Sequence, residues 1–102
     1  MSSTIELISE MLDRRIEAHG PAHLDLIRVA KVQEEAGEAI AAMIAYQHVN
    51  PRKPAGSIDD VIDELADVAL TALCAIEHFD RDSSVALWDR AERVYLRLAG
   101  DE

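Results

Sequence analysis

Residues 37–46, GEAIAAMIAY, and residues 65–76, LADVALTALCAI, decide the fold of this chain. Each is apolar at nearly every position, yet each carries one acid at its edge, Glu38 in the first and Asp67 in the second. Runs this rich in Ala and Leu, without alternation of apolar and polar residues, read as helix rather than strand. Working outward, Ser57 followed by Asp60 forms a capping box that opens a helix running to about Phe79. Upstream, Pro21 suits the first position of a helix from about Ala22 to His48, which Asn50-Pro51 ends. Between the two lies the loop VNPRKPAGS (49–57), rich in chain breakers.

Two flanking helices complete the pattern. Ser3 with Glu6 fits a capping box, and Ile5, Ile8, Leu12 and Ile16 follow at helical spacing until Gly20-Pro21. After FDRDSS (79–84), Val85, Trp88, Ala91, Tyr95 and Leu98 share one helical face, closed by Gly100. The expectation is an all-α chain of four helices, residues 1–102 forming a single domain around a central antiparallel helical hairpin. Helices two and three are apolar on nearly all sides near their shared loop, and such helices need cover all round. Four short helices can hardly provide it, so the bundle is expected to be completed by oligomerisation, as a homodimer or homotetramer.

Ten basic against 20 acidic residues give a net charge of −10. That balance argues against nucleic acid and anionic membrane as partners, both of which bind through excess Lys and Arg. No apolar run approaches the roughly 20 residues that span a bilayer, and the start MSSTIELISEM has no signal-peptide pattern. With one cysteine, Cys74, set in an apolar helix pattern, a buried free thiol and a cytoplasmic location are expected.

The acids fall into two motifs. Glu34, Glu35 and Glu38 form E-E-x-x-E on helix two, and Glu64 and Asp67 form E-x-x-D on helix three. Residues three or four apart share a helix face, where like charges repel. Counted away from the loop at about 1.5 Å per residue, Glu38 and Asp67 stand within roughly 2 Å of the same height. No Lys or Arg occurs between Gln33 and Asn50 or between Lys53 and Arg81, so neighbours on these helices cannot neutralise the cluster. A hard divalent cation can: oxygen-only ligands suit Mg²⁺ or Mn²⁺ and phosphate chemistry. The same motifs on solvated faces, giving a purely structural acidic bundle, remain the competing reading. There is no Glu-x-x-His of the di-iron bundles, and His19, His23, His48 and His78 read as surface or helix-end residues.

Lys31 is placed either to contact phosphate or to pair with Glu35 at i,i+4. Arg52 and Lys53 are candidates to clamp phosphate, but stand roughly 15 Å from the acids on the hairpin count, so loop folding or a second subunit would have to deliver them. Arg90, Arg93 and Arg97 read as a solvated face, and Trp88 and Tyr46 as packing or dimer contacts rather than base-stacking groups.

Together, KVQEEAGEAIAAMIAY (31–46), the loop and DDVIDELADVALTAL (59–73) resemble the MazG-like nucleotide pyrophosphohydrolases of the all-α NTP pyrophosphatase superfamily. The resemblance covers about residues 22–79. It implies Mg²⁺-dependent hydrolysis of a nucleoside triphosphate to a monophosphate and pyrophosphate, in nucleotide-pool cleaning. It places the first-motif glutamates on Glu34, Glu35 and Glu38 and the second motif on Glu64 and Asp67. Glu34, Glu38, Glu64 and Asp67 are then expected metal ligands, and Glu35 the residue that prepares the water. The chain lacks the extra segments that larger relatives use around the base, which leaves base specificity open. The alternative is a catalytically silent helical module that binds nucleotide or a partner protein.

Overall fold

The computed structural model describes residues 2–17 and 24–101. Among these every regular element is an α-helix: α1 (Ser2–Glu17), α2 (Leu24–Tyr46), α3 (Ile58–His78) and α4 (Ser83–Gly100). The helices pack as a bundle, and none is long and apolar enough to cross a membrane. The expected break at Gly20-Pro21, the start of helix two at Ala22, and both His19 and His23 lie outside the described residues.

Local chemistry sets the helix ends. Ser57 caps α3 with the expected box: its Oγ accepts from the Asp60 N–H, and the Asp60 side chain accepts from the Ser57 N–H. Asp82 caps α4 by accepting from the Val85 N–H, and Glu77 Oε2 accepts from the Ser83 N–H at 2.7 Å. At the other end of α1, Ser3 lies inside the helix rather than at its cap.

The C-termini of α2 and α3 are alike. His48 (φ 53°) and Asp80 (φ 59°) adopt the left-handed conformation. The His48 N–H donates to the Ala45 carbonyl and the Val49 N–H to that of Ile44. In the same way Asp80 donates to Glu77, and Arg81 to Ile76. These are Schellman closures without the usual glycine. Helix two therefore ends before Asn50-Pro51 is reached. The loop returns to α2 at Gly56, whose N–H donates to the Ala45 carbonyl at 2.9 Å. A Cβ there would meet Ala45 Cβ at 3.0 Å and the Tyr46 backbone nitrogen at 3.2 Å, so a larger residue would have to push the loop off α2 by a few tenths of an ångström.

α2 packs along α3, α1 lies on α3, and α4 leans on α3. Among the described residues the buried apolar ones are small: Ala39, Val61, Cys74 and Ala75. Small side chains let the two long helices come close, but they leave the larger ones outside. Ile40, Met43, Ile44, Ile62 and Leu65 are all exposed, as are Trp88 and Tyr95 on α4. Trp88 and Tyr46 therefore do not pack into the core of the single chain.

One polar network ties three helices together. Arg28, only 3% exposed, donates from Nη2 to Ser9 Oγ at 2.7 Å and to the Cys74 carbonyl at 3.1 Å. Its Nε lies 3.1 Å from Asp13 Oδ1, but the two are too poorly aligned for a hydrogen bond, so this contact is Coulombic. Asp13 Oδ2 is 3.1 Å from His78 Nδ1, and Asp25 Oδ1 is 2.6 Å from His78 Nε2. His78 does end α3, as expected, but its side chain is largely buried. Cys74 is a fully buried free thiol, and burial raises its pKa.

Carboxylates only accept hydrogen bonds, so His78 satisfies both partners only as the doubly protonated imidazolium. Burial alone would lower its pKa, but the bonds to Asp25 and Asp13 and the charges of both acids outweigh it, and the net shift is upward from 6.5. A folded pKa above the unfolded one stabilises fully below the unfolded value and is lost as pH rises through the folded value. The melting temperature of wild type should therefore fall as pH rises above about 6.5. His78→Gln should melt lower at pH 6 and lose most of that dependence. Equal pH profiles for the two proteins would contradict the pairing. Arg28→Ala, which strips Asp13 of one of its two cationic partners and Ser9 Oγ of its donor, should cost on the order of 2–3 kcal/mol by urea denaturation.

Candidate metal centre

The acids meet where α2 and α3 pack. One carboxylate oxygen each from Glu35, Glu64 and Asp67 lie within 4.8 Å of one another. Glu35 and Glu64 are half-buried between the helices, while Asp67 is exposed. Glu64 and Asp67 share a face of α3 one turn apart, as their spacing requires. Glu38 adjoins the group, and its charge acts on both Glu35 and Glu64. The loop count had put Glu38 level with Asp67. In the structure Glu35, about one turn earlier, is the residue that reaches Asp67.

The cluster is electrostatically unfavourable as it stands. Partial desolvation, then the charges of Glu38 and Asp67, raise the pKa of Glu35 above the ordinary glutamate value, with Lys31 opposing. Desolvation likewise raises Glu64, followed by Glu38, Asp67, Asp63 and Asp60. Glu64 Oε2 is buried and has no hydrogen-bond partner. A buried carboxylate oxygen without a donor is costly unless something positive reaches it.

A divalent ion answers that need. An octahedral Mg²⁺ with ligands at about 2.1 Å sets neighbouring oxygens about 3 Å apart and opposite ones about 4.2 Å apart. Oxygens already within 4.8 Å come into that range by side-chain adjustment alone. The donor set is all oxygen, which suits Mg²⁺ or Mn²⁺ over zinc or copper.

The other candidate residues stand apart from this group. Glu34 is exposed and turned to Lys31, whose Nζ is 3.2 Å from Glu34 Oε2. The i,i+3 pair with Glu34 thus replaces the expected i,i+4 pair with Glu35. Arg52 is exposed, and its backbone N–H donates to Asn50 Oδ1. Lys53 lines a cleft of about 410 Å³ with Ile44, Ala45, His48 and Asn50, and its carbonyl is 2.9 Å from His48 Nε2. The sequence reading missed the Arg28–Asp13–His78–Asp25 network. Its one local signal is Asp25 with Arg28 at i,i+3, and the remaining members come from other helices.

Compared with protein-family models, curated proteins and solved structures, the chain matches none.

Repulsion among these acids predicts opposite effects of one substitution with and without metal. Without divalent ions, Glu64→Gln should raise the melting temperature by a few degrees, since it removes a repelling charge and supplies a donor. With millimolar Mg²⁺, wild type should gain stability by mass action and the variant should gain little. A wild type whose melting ignores Mg²⁺ and Mn²⁺ would refute the site.

Proposed function

We propose that this chain is a Mg²⁺-dependent nucleoside triphosphate pyrophosphohydrolase, converting a (d)NTP and water to the (d)NMP and pyrophosphate. The observation that carries this reading is the convergence of Glu35, Glu64 and Asp67, one oxygen of each within 4.8 Å of the others. The likeness of residues 22–79 to MazG-like enzymes supplies the reaction class, and the acid constellation supports it. The contacts also support the antiparallel hairpin: Arg28 meets Cys74, Glu35 meets Asp67, and Ala45 meets Gly56, so α2 ascends as α3 descends. We further take the working form to be a homodimer or homotetramer.

In this reading Glu35, Glu64 and Asp67 would hold the metal, with Glu38 beside them adding its charge. Bound there, Mg²⁺ would screen the triphosphate from an acidic protein, orient the water and stabilise charge on the leaving pyrophosphate. The water oxygen attacks the α-phosphorus, the bond to the bridging oxygen of the β-phosphate breaks, and pyrophosphate departs with that oxygen. The water must lose a proton as it attacks. Glu35 is assigned to take it, as the carboxylate of the first motif that reaches the cluster. Membership of the metal cluster gives Glu35 a second role, as ligand, beside the water-preparing one read from the sequence. Glu34 falls outside the set. Lys31 can leave Glu34 for a substrate phosphate at little cost, because exposed ion pairs contribute less than about 1 kcal/mol.

The test is pyrophosphate release from a panel of ordinary and damaged dNTPs and NTPs with Mg²⁺. Turnover of at least one is expected, lowered about 100-fold or more by Asp67→Asn and by Glu64→Gln. Binding without turnover of any substrate would favour the silent nucleotide-binding module instead.

A further inference from the structure

One cleft of this chain has no part in the metal cluster. It lies where the α2–α3 loop folds back on the end of α2, has a volume of about 410 Å³, and is walled by Ala41, Ile44, Ala45 and Pro54. His48, Asn50 and Lys53 supply its polar groups. Mostly apolar clefts of about 300–1,000 Å³ with a few polar groups are the usual form of small-molecule sites.

The loop's own hydrogen bonds hold this cleft in shape. His48 Nε2 meets the Lys53 carbonyl at 2.9 Å, and the Lys53 N–H donates to the Asn50 carbonyl at 3.1 Å. The Arg52 N–H donates to Asn50 Oδ1 at 3.0 Å, and the Gly56 N–H ties the end of the loop to Ala45. A cleft already formed spares its ligand the cost of ordering the loop.

Position connects the cleft to the acids. Lys31, Glu34, Glu38, Ala41 and Ala45 follow one another at spacings of three or four, so they form one stripe along α2. Glu38 sits mid-stripe, beside the cluster of Glu35, Glu64 and Asp67. Ala41 and Ile44 stand about 4.5 and 9 Å beyond it toward the loop, and Lys31 about 10 Å the other way. In a nucleotide about six covalent bonds of about 1.5 Å separate the α-phosphorus from the base, a reach of roughly 6–8 Å. A phosphate held at the acids therefore brings its base to the cleft and sends the outer phosphates toward Lys31.

The polar groups indicate which base. A carbonyl only accepts, so His48 Nε2 carries the hydrogen, and Nδ1 of the neutral ring is left as an acceptor. Asn50, with Oδ1 engaged, keeps its amide N–H donors, and the Lys53 ammonium adds more. Several donors with one acceptor complement a ring carbonyl next to a ring N–H, the edge of uracil, thymine, guanine and hypoxanthine. Adenine has neither group, and cytosine lacks the N–H.

We propose that this cleft binds the base of the triphosphate, with a preference for bases that carry a ring carbonyl beside a ring N–H. Lys53 then contacts the base rather than clamping phosphate, and the substrate lies along α2 with its pyrophosphate at the Lys31 end. The assignment rests on the pyrophosphohydrolase reading, and binding rather than turnover tests it.

The test compares amide shifts of ¹⁵N-labelled protein with Mg²⁺ and either inorganic triphosphate or the α,β-imido analogue of dTTP. Both should move residues around Lys31, Glu38 and Asp67, and the nucleotide alone should also move residues 41–53. Ala41 is exposed, so Ala41→Phe should fill the cleft without altering helical circular dichroism. It should weaken the dTTP analogue about tenfold and leave inorganic triphosphate unchanged. In wild type the α,β-imido analogue of dATP should bind several-fold more weakly than that of dTTP. Lys53→Met, which keeps the aliphatic stem, should narrow that gap. Nucleotide shifts no wider than those of inorganic triphosphate, or an Ala41→Phe chain that binds the dTTP analogue as wild type does, would overturn the cleft and leave the hydrolase reading standing. Equal affinity for the two analogues, or a gap untouched by Lys53→Met, would overturn the base preference. Triphosphate that moves nothing near the acids would overturn both readings.

Discussion

The close approach of α2 to α3 is the constraint on which the rest of the molecule depends. Ala39, Ala75 and Gly56 keep bulk out of the seam. A large residue at any of these positions would push the helices apart, because packed interiors absorb even one extra methylene poorly. Two consequences follow from the same closeness. Glu35, Glu64 and Asp67 are forced within reach of one another, and the larger apolar residues are turned outward. The repelling acids and the bare hydrophobic faces are thus two results of one packing choice. The first calls for a cation and the second for more protein.

The Arg28 network limits how the third helix can sit. α1 reaches α3 through Ser9 and Asp13, and both side chains engage Arg28 of α2. Breaking a charged contact of this kind costs more than it contributes when intact, since a buried ion is left unpaired. The network therefore specifies position more than it adds stability. His78 extends it to Asp25 at the start of α2. As a result α1, α2 and α3 are fixed together about two turns from the acid cluster, which gives Glu35 a rigid base.

Much of this was legible in the sequence because it is local. The four helices, the Ser57–Asp60 capping box and the buried Cys74 follow from neighbours a few residues apart. The E-x-x-D pair follows too, since its spacing fixes both acids to one face. What was not legible depends on rotation and long-range contact. Loop counting gives the height of Glu38 and Glu35 but not which of them turns inward, and the structure turns Glu35. The end of α2 was read from Asn50-Pro51, whereas His48 in a left-handed conformation closes the helix first. No glycine announces that closure, so composition could not reveal it. His78 as a helix-end residue was right in position, but its burial came from Asp13, 65 residues away. The exposure of Ile40, Met43, Ile62 and Leu65 had a signal, in helices two and three too apolar for one small chain to cover.

Manganese relaxation in solution tests the central claim most directly. Substoichiometric Mn²⁺ added to ¹⁵N-labelled protein broadens the amides nearest its binding site. Broadening should centre on residues around Glu35, Glu38, Glu64 and Asp67 and reverse with excess Mg²⁺. Broadening that spreads evenly over the acidic surface, or that centres on the cleft beside Glu6, Glu10 and Asp82, would contradict it.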